Sequence, residues 1–224
     1  MSSVNMAMVV AQKEITEIVK NRGLLFGSVW FGCSFGIIFS SQALSLDNSV
    51  FSVALLAGVL VGYMFSGRVF LREKRERIIE TLLCTPLSLK SIWFGKVVGV
   101  TIPAYLVSLL TAALITIVSN ITLHSFLFPS VVILIHALVV VPVFITSVIS
   151  LMGFCQFWFG MRENKIIGYL VMLGSLPVIF PYNMSLVVSW VEVAVLLVMS
   201  VLLLAITTYL SRYLSKEKIV TTIS

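Results

Sequence analysis

Charge is what this chain has least of. Only 11% of its 224 residues are charged, against 59% that are hydrophobic, where a soluble domain carries about 25% and roughly 45–50%. So few charges cannot cover a compact water-soluble protein of this size, and a disordered chain needs the opposite balance. Cysteine is scarce as well. Cys33, Cys84 and Cys155 are widely separated and form no CxxC pair, which argues against a disulfide framework or a zinc site. The chain also has no GxxxxGK[ST] phosphate loop, no HExxH pair and no GxSxG serine with a candidate base. No catalytic residue and no metal ligand is assigned, and the expectation is a non-enzymatic chain with no cofactor of its own.

Long apolar runs are abundant. They fall at about 23–42, 49–67, 93–118, 128–153, 166–181 and 187–210, and a helix crosses a bilayer with about 20 apolar residues. The fifth run is the shortest and contains Pro177 and Pro181. Alternating strands of the barrel type are missing, so helices are the remaining way to span. The predicted fold is an all-α polytopic membrane protein, one domain over 1–224 with six transmembrane helices.

The basic residues orient it. Lys13, Lys20 and Arg22 precede the first run, and Arg68, Arg72, Lys74, Arg75, Arg77, Lys90 and Lys96 flank the loop between the second and third. Arg162 and Lys165 follow the fourth run, Arg212, Lys216 and Lys218 follow the sixth, and the stretches around 43–48, 119–127 and 182–186 hold none. The positive-inside rule places both termini in the cytoplasm, with the plasma membrane as the expected location. The net charge of +6 then reports topology rather than a nucleic-acid footprint.

An ionisable side chain at the bilayer centre costs about 2.5–3.5 kcal/mol and marks function by default, yet few candidates exist. Glu192, beside Trp190, reads as interfacial. His136 stands alone within its run, either neutral and bonded to a neighbouring helix or serving a proton or metal role. The pairs Gly32/Gly36, Gly58/Gly62 and Gly95/Gly99 permit close helix approach, while Pro103 and Pro142 predict local breaks in their helices. The first 22 residues are unlike a secretory signal, because Lys13, Glu14, Glu17, Lys20 and Arg22 interrupt the apolar pattern. A helix over about 8–22 puts Ile15, Ile18 and Val19 on one face. That segment either lies in the membrane interface or stands as a charged helical stub.

The loop between the second and third runs carries the most information. Ile78, Ile79, Leu82 and Leu83 form an apolar stripe at helical spacing, and Glu73, Glu76 and Glu80 an acidic one. Thr85-Pro86 reads as a cap followed by a proline in the first position of a new helix. The helix predicted over about 72–85 either rests on anionic headgroups through its basic residues or docks a cytoplasmic protein, and the interleaved glutamates favour docking.

This stretch resembles the cytosolic signature of ABC-2-type transporter permeases, the membrane subunits of a class of ABC exporters. The matching residues are Glu73-Lys74-Arg75-Glu76-Arg77, then Glu80-Thr81-Leu82-Leu83-Cys84-Thr85-Pro86, then Gly95-Lys96. The close motif covers only about 25 residues. The start Lys13-Glu14-Ile15-Thr16-Glu17 is similar to the family's N-terminal amphipathic helix, and Arg162 with Lys165 to the basic pair before its fifth span. Ile78-Ile79 depart from the Gly-Thr of many members. The resemblance implies a coupling helix that fits an ATP-binding subunit, with Glu73, Glu76, Arg77, Glu80, Leu83, Thr85 and Pro86 as its coupling residues. ATP and magnesium would belong to that partner, and a second permease copy or paralogue would complete the path. Membrane lipid is the other expected partner, and nucleic acid is not one. The alternative is a stand-alone channel or ATP-independent carrier. Asn120 and Asn183 begin glycosylation acceptor patterns on the predicted outer side.

Overall fold

The computed structural model describes residues 3–40, 45–72, 88–123, 128–159, 166, 168–171, 173–174 and 188–214. Within them the chain is all-helical, with no strand. Helix α1 is Ser3–Lys20, α2 Arg22–Ser40 and α3 Leu46–Ser66, which continues into a π-helical turn at Gly67–Leu71. Helix α4 is Leu89–Leu123, α5 Val131–Trp158 and α6 Trp190–Leu210.

Polar residues set the helix starts. The Asn21 carboxamide accepts from the Leu24 amide at 3.1 Å, separating α2 from α1. Ser45 accepts from Asn48 at the head of α3. Ser189 and Glu192 form a reciprocal capping box at the head of α6, so Glu192 holds a helix start.

Four helices are long and apolar enough to cross a membrane: Leu46–Phe70, Leu89–Ile121, Val131–Trp158 and Trp190–Tyr213. The chain is an all-helical membrane protein. The run at 23–42 corresponds to α2, whose apolar part Arg22–Ile38 is shorter than those four, and the run at 166–181 lies largely outside the described residues.

Helix α3 is the centre of the bundle, with 83% of its apolar window buried, while α6 is peripheral at 22%. Lipid tails are as apolar as leucine, so close backbone approach and hydrogen bonds between helices must supply the adhesion. Ser108 on α4 donates to the Ala54 carbonyl of α3 at 2.5 Å, Tyr105 on α4 to the Ala137 carbonyl of α5 at 3.1 Å, and Ser150 on α5 to Thr207 on α6 at 2.7 Å. All three glycine pairs lie at helix contacts. Gly58 on α3 is filled against Ile145 of α5, where any Cβ would overlap that side chain.

The two prolines behave differently from each other. Pro103 sits inside a continuous α4, so the expected break does not appear there. Ahead of Pro142, α5 passes through a π-helical turn at His136–Val140. A proline at 142 clashes with the carbonyl of residue 138 in regular α geometry, and the wider turn lies over that residue.

Gly58→Val should destabilise the bundle by about 1–3 kcal/mol, as overpacking does. Gly27→Ala, which meets open space, should be neutral or stabilising by up to about 1 kcal/mol. Thermal unfolding in detergent micelles compares the two.

Candidate functional site

Helix α4 has 35 residues, about 52 Å at ~1.5 Å per residue, against a hydrocarbon core of ~30 Å. Its first turns are covered by α1. Gly95 and Gly99, one turn apart, face α1 so closely that a Cβ on Gly95 would lie 2.6 Å from the Ala7 carbonyl oxygen. One on Gly99 would lie 2.8 Å from the Glu14 Cβ. The buried stripe of α1 is Ala7, Val10, Ala11, Glu14 and Ile18. Of the face predicted from Ile15, Ile18 and Val19, Ile18 packs inward and Val19 is exposed. Small residues, which a hydropathy pattern undervalues, make the contact instead.

That approach carries Glu14 onto Lys96. The Lys96 ammonium donates to Glu14 Oε1 at 2.9 Å, with side-chain exposures of 0% and 3%. Lys13 lies 3.9 Å from the same oxygen, and the Phe70 ring lies 5.9 Å from the ammonium. Each charge is tolerable out of water only because the other is beside it. Three residues further along α1, Glu17 pairs with Arg72 at 3.2 Å, both half-exposed.

Arg72 and Lys96 flank the segment predicted as the coupling helix. Glu73, Glu76, Arg77, Glu80, Leu83, Thr85 and Pro86 themselves lie outside the described residues. The described chain on both sides of that segment is thus ion-paired to one helix, through carboxylates three residues apart. The pair at Glu14 was not legible in the sequence. Lys96 reads as one more flanking cation, and the available signal is only its place between Gly95 and Gly99.

The remaining candidates separate from this cluster. His136 is fully buried and stacked on Phe51 of the neighbouring helix α3, with ring centroids 4.0 Å apart. No group of three or more His, Cys, Asp or Glu side chains that could hold a metal comes together among the described residues. Cys33 and Cys155 are free thiols, and Cys84 lies outside the described residues. Asn120 sits in the last turns of α4 rather than in a loop, and Asn183 lies outside the described residues.

Lys96→Met should lower stability by about 3–5 kcal/mol, since it strands a buried carboxylate. Adding Glu14→Leu should restore most of that loss, whereas Arg72→Ala should cost no more than ~1 kcal/mol at an exposed pair. Unfolding curves for the four proteins in one detergent test this ordering. Compared with known proteins, the chain matches no family model and no curated protein, so a functional reading rests on its charge pattern and geometry.

Proposed function

We propose that this chain is the permease subunit of an ATP-driven exporter of the ABC-2 type, itself non-catalytic, with its basic end in the cytoplasm of a cell with the protein in its plasma membrane. The observation that carries the reading is the segment between α3 and α4. Its Glu73-to-Pro86 pattern resembles the family's coupling signature, and both its flanks are ion-paired to α1 through Glu17–Arg72 and Glu14–Lys96. A force applied to such a segment reaches two membrane-crossing helices and α1 together, which is what a coupling element requires.

The missing phosphate loop supports a division of labour. Uphill transport would draw on ATP and magnesium bound by a separate subunit docked on Glu73, Glu76, Arg77, Glu80, Leu83, Thr85 and Pro86. Two permeases, identical or paralogous, would face each other around a path lined by apolar and hydroxyl side chains. The shortage of charge within the spans favours a hydrophobic or amphipathic substrate over a small ion.

Co-purification with an ATPase encoded beside this chain is the expected result, and Glu76→Lys with Glu80→Lys should abolish both the complex and transport-linked ATP hydrolysis. Retention of both would remove the coupling assignment. Transport by the purified chain in liposomes without nucleotide would replace it with the stand-alone channel or ATP-independent carrier.

A further inference from the structure

At the basic end a cleft of about 390 Å³ opens between α1, the first turns of α4 and the end of α6. Its polar wall offers donors. Lys90 makes no ion pair among the described residues. Trp93, part of the wall, is only 3% exposed. The Ser88 hydroxyl takes the Ser91 amide and its carbonyl the Ile92 amide. Ser88 and Ser91 bond to each other at 2.8 Å, so one of the two keeps a free hydroxyl proton. Thr208 and Ser211, across the cleft, spend their protons on backbone carbonyls. Among the described residues no carboxylate lines the space.

A cation and a hydroxyl with a free proton, at the rim of a membrane-facing cleft, suit a ligand made of acceptors and negative charge, which is a phosphate. The surroundings say what the phosphate is attached to. Phe94, on the cleft wall, is 53% exposed, and above it α4 exposes Ile102, Leu106 and Leu110 at four-residue spacing. Beyond Ser211, Tyr209 and Tyr213 are exposed with hydroxyls 3.2 Å apart, and the Arg212 guanidinium lies 5.6 Å from the Tyr209 ring. Tyrosines with a neighbouring cation mark headgroup level in membrane proteins. We propose that this cleft binds an anionic glycerophospholipid of the leaflet at the basic end, its phosphate against Lys90 and the Ser88–Ser91 hydroxyls and its acyl chains along the stripe from Phe94 to Leu110.

This site does not depend on the exporter reading: loss of ATPase recruitment would leave lipid binding intact, and loss of lipid binding would leave recruitment untouched. The test uses the full chain in neutral detergent, titrated with dioleoyl phosphatidylglycerol, dioleoyl phosphatidylcholine or inorganic phosphate and read by native mass spectrometry. Phosphatidylglycerol should be retained preferentially. Lys90→Glu should weaken it by at least about fivefold, the equivalent of ~1 kcal/mol for one basic residue near an anionic surface, while Lys20→Glu should leave it unchanged. Phosphatidylglycerol brominated on its acyl chains should quench the wild-type tryptophan emission more than that of Trp93→Phe, a readout that does not need the charge variant. Equal retention of phosphatidylglycerol by wild type and Lys90→Glu overturns the proposal. So does equal quenching of wild type and Trp93→Phe, and displacement of the lipid by inorganic phosphate would make the site one for a soluble anion.

Discussion

A buried charge is stable only while its counter-charge stays beside it, and this condition ties α1 to α4 through Glu14 and Lys96. Without the Glu14 carboxylate, an ammonium with no exposure to water would remain inside the protein, and the cost of leaving a charge so placed is far larger than that of losing an exposed pair. The pair in turn demands glycine on either side of it. Side chains at 95 and 99 would hold the helices apart by more than a 2.9 Å contact allows. Ion pair and glycines are two parts of one constraint, and it positions everything at the basic end: the cleft beside Trp93, the bridge from Glu17 to Arg72, and the flanks of the segment between α3 and α4.

The rest of the bundle is held by different means. Lipid offers no hydrophobic gain for bringing apolar helices together, so contacts rely on small residues and on hydroxyls that reach a neighbouring helix. Helix α3 gathers these contacts, meeting α4 through Ala54 and Ser108 and α5 through Gly58 and Ile145. Helix α6 is anchored chiefly to α5, with Ser150 to Thr207 at its basic end, and turns most of its surface outward. A rigid central helix with one outlying helix leaves broad apolar faces for lipid or for a second copy. The exporter reading calls for that second copy.

Much of the fold was legible because hydropathy is a local property. The apolar runs at 49–67, 93–118, 128–153 and 187–210 each lie within one of the four long apolar helices or overlap it closely. The ends were less legible, since α4 begins at Leu89 and runs to Leu123, and its first turns pack on α1, a contact that hydropathy does not register. Pro103 illustrates the same gap, because a proline signals a lost hydrogen bond without saying whether the neighbours hold the helix in place. The Ser189-to-Glu192 capping box is legible from its spacing alone, a serine followed three residues later by a glutamate.

What the sequence by itself determined is that the chain is helical and membrane-bound, with its basic residues confined to one set of connections. These follow from the count and order of side chains, each acting on its own stretch of backbone and on the solvent around it. Only the tertiary structure decided which residues meet. Glu14 and Lys96 are 82 positions apart, and charge alone does not distinguish Lys96 from Lys13 or Lys90, which stay exposed. Pairing and burial are properties of two segments brought together, so they appear only once α1 lies against the glycines of α4.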